Sequence, residues 1–132
     1  MKRATAKDNR VHILGFTDQL MELLPAADLL VSFFRYEAFG LNVQEAICRS
    51  IPAIVSESAG IAELYPSDLR FALLKDPEST AELVGMLKAW RESIPRWRDS
   101  FVPFSNKLRS YTWSDMARRI VEMASLVSPR HC

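Results

Sequence analysis

Cysteine is scarce: Cys48 and Cys132 are the two in 132 residues, and neither sits in a C-x-x-C or Cys/His spacing. That excludes a disulfide framework and a structural zinc module, so a reducing, cytoplasmic compartment is expected. Charge bias is missing too. Seventeen Lys and Arg face sixteen Asp and Glu, for a formal net charge of +1 with the basic residues scattered. Such a balance implies no nucleic-acid or membrane-surface partner. The longest apolar run, residues 29–34, is broken by Ser32 and preceded by Asp28. It is far short of the roughly 20 residues that a membrane-spanning helix needs. Residues 1–10 carry Lys2, Arg3, Lys7 and Arg10 without a following apolar segment, which reads as a disordered basic leader. There is no D-x-D or His-rich metal spacing, no G-x-S-x-G, no Walker pattern and no internal repeat.

What is present is an ordinary globular composition, 48% hydrophobic and 25% charged. Apolar clusters at residues 11–15, 29–33, 53–56 and 71–74 predict strands. Helical periodicity intervenes. A short helix is predicted from Thr17 or Asp18 to Leu24, with Leu20, Leu23 and Leu24 inward. A second, residues 41–50, carries the core stripe Val43, Ala46 and Ile47. A third runs from Ser79 to about Trp90 with Ala81, Leu83, Val84, Leu87 and Trp90 inward. Helices over 103–111 and 114–126 follow, the last with Met116, Ile120, Val121 and Met123 as its stripe. Alternation of this kind predicts an α/β fold, a three-layer α/β/α Rossmann-like parallel sheet of about four strands.

The most informative stretch is Glu37-Ala38-Phe39-Gly40-Leu41-Asn42-Val43-Gln44-Glu45-Ala46, a strand end entering a glycine turn and then a helix. It resembles the paired-glutamate motif E-x-F-G-L-x-x-x-E-A of group 1 (family 4, GT-B fold) retaining glycosyltransferases. Flanking matches stand in family order. Val11-His12-Ile13-Leu14-Gly15 is similar to a V-x-F-x-G strand, and Ala27-Asp28-Leu29 to an A-D segment. Ile51-Pro52-Ala53-Ile54-Val55 is similar to G-x-P-V-I, Ala59-Gly60-Ile61-Ala62-Glu63 to G-G-x-x-E, and Tyr111-Thr112-Trp113 to a closing F-S-W. Two glycines of that pattern are replaced, by Ser50 and Ala59.

The resemblance implies the later part of a nucleotide-sugar-binding domain, residues 11–132, acting on an NDP-sugar donor without a metal or cofactor. Earlier βα units, with a Gly-rich turn and an Arg/Lys pair for the donor diphosphate, and an acceptor domain would be missing. By the same resemblance Glu45 accepts from the ribose hydroxyls and Glu37 lies against the donor sugar as the catalytic carboxylate. Phe39, Gly40 and Leu41 would touch diphosphate and sugar, where a helix start favours phosphate, and Gly60 would approach the donor. This chain alone is expected to be inactive, lacking its N-terminal part or a partner chain. The alternative is a non-catalytic module that pairs with another chain or with itself through an open sheet edge. His12, Phe16, Arg35, Glu63 and Lys75 read as structural or solvated residues.

Overall fold

The computed structural model describes residues 9–127. Three parallel strands, β1 (Leu30–Ser32), β2 (Ala53–Ser56) and β3 (Leu73–Leu74), form a sheet in the order β1-β2-β3. Leu30 stands opposite Ala53, and Val55 opposite Leu73. Every residue of β2 is buried, so both faces of the central strand are covered. The architecture is the expected α/β one with three strands among the described residues. Residues 11–15 are not a strand; Val11, Ile13 and Leu14 are exposed. A strand exists only where its N–H and C=O groups meet a neighbouring strand, and none of the described strands pairs with this one.

The helix expected from Thr17 shrinks to α1 (Leu20–Leu23) and a 3-10 turn, Leu24–Ala26. The Thr17 hydroxyl accepts from the Gln19 N–H at 3.1 Å, so residues 17–19 form a turn. Leu24 alone of the three expected leucines is buried. Helix α2 (Leu41–Cys48) buries Val43, Ala46 and Ile47 as its spacing predicts. It ends in a Schellman closure: Ser50 N–H donates to Ile47 C=O at 2.8 Å and Ile51 N–H to Ala46 C=O at 3.0 Å. That closure requires a left-handed residue, and Ser50 adopts φ 62° where glycine would be unstrained.

Between β2 and β3 run two 3-10 turns, Gly60–Leu64 and Ser67–Ala72. Phe71 and Ala72, expected in a strand, belong to the second turn. Helix α3 (Thr80–Glu92) is capped by the Ser79 hydroxyl, which accepts from the Glu82 N–H at 3.2 Å. Leu83, Met86, Leu87 and Trp90 pack on the core, whereas Ala81 and Val84 face out. Helix α4 (Ile94–Ser110) continues through Pro103 instead of opening at it. Trp97, Phe101 and Phe104 recur at helical spacing and are all buried. Their burial outweighs the roughly 3 kcal/mol cost of an interior proline. Tyr65 receives Phe101 and Phe104 edge-on, with centroids 6.0 and 5.2 Å away.

Helix α5 (Trp113–Val127) opens on a reciprocal cap. Thr112 Oγ1 accepts from the Asp115 N–H at 3.2 Å, and Asp115 Oδ2 accepts from the Thr112 N–H at 2.9 Å. The Thr112 hydroxyl, which donates to Asp115 Oδ2 at 2.7 Å, and then the Thr112 N–H hold the Asp115 carboxyl below its ordinary range. Its expected stripe is there but uncovered: Met116, Ile120, Val121 and Met123 are exposed. Among the described residues no helix is long and apolar enough to cross a membrane. Most of the basic leader and Cys132 lie outside the described residues.

Candidate functional site

All three strands point their carboxyl ends the same way, and the connections leaving them form one rim. Open α/β sheets bind ligands at that rim. β1 stops at Ser32, one residue before the expected end. Phe33 and Phe34 are half-exposed, so the chain leaves the core before reaching Glu37. The turn then closes on Gly40, buried, at φ 99° and ψ 57°, which hands the chain to α2. Gly40 C=O accepts from the N–H groups of Val43 and Gln44, both at 3.1 Å. Any side chain at this position would be strained by its left-handed backbone. A Cβ would also stand 3.1 Å from Ile61 Cγ2.

The connection after β2 is zipped to this turn. Gly60 N–H donates to Glu37 C=O at 3.2 Å, and Ile61 N–H donates to Phe39 C=O at 2.7 Å. The Ser58 hydroxyl donates a longer bond, 3.5 Å, to Arg35 C=O. Close approach is possible because Gly60 has no Cβ; one would lie 2.3 Å from Ala38 O and 3.1 Å from Phe39 Cα. The space above Gly60 is therefore filled by the motif turn itself. Sequence could mark Gly60 as a turn glycine, but not which backbone it admits.

The structure thus brings Glu37, Phe39, Gly40, Leu41 and Gly60 together. Glu37 is partly buried, and its Oε1 accepts a long bond, 3.4 Å, from the Phe39 N–H. Phe39 is 37% and Leu41 67% exposed, which leaves apolar surface at the mouth of the turn. Glu45 stands apart. It is exposed on α2, one turn beyond Leu41 and on the same face by its i, i+4 spacing. Cys48, one turn further on, is not an activated thiol. Burial pushes it up from its ordinary value, against Arg109 and Arg49.

The sequence places Arg35 and Lys75 near strand ends as solvated residues but does not show their partners. Arg35, beyond β1, pairs with Glu78, beyond β3. Arg70 Nη2 lies 3.1 Å from Glu57 Oε1. No local signal announces such pairs, because their partners are distant in sequence. Lys75 and Asp76, at the end of β3, donate their N–H groups to the Glu82 carboxylate at 3.0 and 3.1 Å. A cavity of about 590 Å³ opens between α3 and α4 beside Met86, Ala89 and Trp97. It shares nothing with the strand ends, and the rim geometry defines the better site. Among the described residues no group of three or more His, Cys, Asp or Glu side chains is gathered for a metal ion.

A parallel sheet whose carboxyl rim feeds a glycine turn into a helix N-terminus is an α/β arrangement in which ligands commonly bind at the rim and anionic groups at the helix start. The chain belongs to the glycosyl transferases group 1 family, whose model matches residues 2–93. It is similar to a mannosylfructose-phosphate synthase of Agrobacterium fabrum, 29% identical over 120 residues, covering 88% of this chain and 26% of the relative. An uncharacterized glycosyltransferase of Methanocaldococcus jannaschii is 29% identical over 122 residues, covering 87% of this chain and 30% of the relative. This chain thus spans between a quarter and a third of the length of these relatives. No solved structure matches it.

Proposed function

We propose that this chain is the later part of the donor-binding domain of a family 4, GT-B, retaining glycosyltransferase that moves a hexose from a nucleotide sugar to an acceptor. The observation that carries the reading is the paired turn, in which Glu37-Ala38-Phe39-Gly40 is clamped by Gly60 and Ile61 at the mouth of α2. Clamping holds backbone N–H groups at a helix start without help from the ligand, as preorganised phosphate binding requires. Glu45, exposed on α2, accepts from the ribose hydroxyls. Glu37 lies against the donor sugar, where its carboxylate offsets positive charge developing at the anomeric carbon. Phe39 and Leu41 offer apolar contact and Gly40 backbone contact, while Gly60 shapes the turn that meets the donor. Carboxylates suit hydroxyl donors and repel phosphate, so both glutamates flank the diphosphate.

In the reaction the bond from the anomeric carbon to the leaving phosphate oxygen breaks, and the acceptor hydroxyl bonds to that carbon on the same face. Its proton passes to the departing diphosphate. No metal or cofactor takes part. Hexosyl transfer is in keeping with one relative's name, a mannosylfructose-phosphate synthase. On this reading the chain by itself is inactive. Calorimetric or NMR titration with UDP-, GDP- and ADP-sugars tests the site. Saturable binding is expected to weaken at least about tenfold in Glu45→Ala, the loss of charge-assisted bonds. Binding unchanged in both Glu45→Ala and Glu37→Ala would refute the assignment.

A second reading is a non-catalytic module that associates with another chain or with itself. The position of β1 as an outer strand of the described sheet, and the exposed apolar residues Val11, Ile13, Trp113 and Ile120, favour it. Concentration-dependent mass in sedimentation is expected; a monomer with one cooperative melt would count against it.

A further inference from the structure

Two side chains reach across the rim from opposite edges of the sheet. Arg35 follows β1 and Glu78 follows β3, and their guanidinium and carboxylate form an ion pair. Because the strand order is β1-β2-β3, that pair spans the carboxyl end of β2. Outer strands of a three-strand sheet lie about 10 Å apart. The pair therefore crosses the crevice in front of the clamped turn. Both anchors are braced through their backbones. Arg35 C=O accepts from the Ser58 hydroxyl, and the Glu78 N–H donates to Asp76 Oδ1 at 2.9 Å. The side chains themselves are 81% and 59% exposed, so they can change partners without moving the fold.

We propose that Arg35 binds the diphosphate of the donor and that Glu78 is its resting partner, a tethered carboxylate that an incoming nucleoside diphosphate displaces. The inference rests on the donor-site reading and assigns a cation of this chain to the phosphates. An exposed ion pair is weak and screened by water. A diphosphate offers the same guanidinium two parallel charge-assisted bonds, with the partial positive charge of the α2 start beside it. Exchange is thus favourable, and Glu78 lowers affinity for anionic ligands at the rim. Arg70, in the turn that enters β3, is held by Glu57 instead.

Titration of the full chain with UDP, GDP and ADP, and with uridine, guanosine and adenosine, tests this at fixed ionic strength. For the diphosphate that binds, Glu78→Gln should tighten binding about two- to fivefold, the strength of an exposed pair. Arg35→Gln should weaken it about tenfold, Arg35→Lys less, and Arg35→Gln with Glu78→Gln should match Arg35→Gln alone. None of the four should alter nucleoside binding, and their melts should match the parent because both side chains are exposed. Unchanged or weaker diphosphate binding in Glu78→Gln, or equal loss of nucleoside and diphosphate in Arg35→Gln, would overturn the switch. If binding depends on Glu45 but ignores Arg35 and Glu78, the switch fails and the donor site stands. If nothing binds, or binding ignores Glu45 too, both fail.

Discussion

Replacing Gly60 by alanine should open the clamp between the two turns. The new methyl would lie 2.3 Å from Ala38 O, against a practical minimum near 3.0 Å, and it meets backbone instead of a flexible side chain. The two turns must then part by about 0.7 Å. That separation would stretch the Ile61–Phe39 bond from 2.7 Å, and the Gly60–Glu37 bond from 3.2 Å, to or beyond the hydrogen-bonding limit. At about 1 kcal/mol for each bond, with some loss of contact and a small gain from a stiffer unfolded chain, the net cost is about 2 kcal/mol. In a chain of this size that lowers Tm by about 6 °C. Thermal unfolding followed by the fluorescence of buried Trp97 measures it, and amide exchange at Ile61 localises it. Gly85, in α3, provides the control. Nothing lies within 4 Å of its Cβ position, so Gly85→Ala should stabilise by about 0.5–1 kcal/mol. A Gly60→Ala protein with parental Tm and a fully protected Ile61 amide would refute the clamp.

Three further outcomes are expected. At the end of α2, Ser50→Gly should be more stable than Ser50→Ala by about 1 kcal/mol in urea unfolding, since both lose the 3.3 Å contact with the Ser105 hydroxyl but alanine keeps the left-handed strain. Tyr65 is buried, with its hydroxyl donating to Ala53 C=O at 3.0 Å, and burial raises its pKa well above the ordinary value of 10.0. The unfolded state therefore loses that proton first as pH rises, so the stability Tyr65 contributes is full below pH 10 and falls above it. Tyr65→Phe should flatten this alkaline limb and cost about 1 kcal/mol at neutral pH, read from urea midpoints against pH. At the start of α5, Asp115 has a lowered pKa, so its cap holds above the ordinary value of 3.8 and is lost as pH falls through the folded value. Asp115→Asn should remove that acid dependence from the amide exchange of the first turn.

Local chemistry made much of this protein legible. Val43, Ala46 and Ile47 recur at helical spacing and are buried as that spacing demands. Ala53–Ser56 is a strand because β-branched residues follow a helix-stopping proline. Gly40 is the turn residue because a left-handed backbone must hand β1 to α2. The same logic failed where a residue's state depends on a distant partner. Residues 11–15 have a strand's pattern but no strand beside them. Pro103 should open a helix, yet Trp97, Phe101 and Phe104 share one buried face that carries α4 through it.

The candidate site divides in the same way. Sequence alone determined that a paired-glutamate turn exists and that it leads into a helix, because those features reside in ten consecutive residues. Only tertiary structure decided that Gly60 closes on Ala38, that Ile61 locks Phe39, and that Arg35 meets Glu78 across the rim. Each of these joins the connection after one strand to the connection after another. Strand order brings those connections together, and strand order is settled by burying both faces of β2.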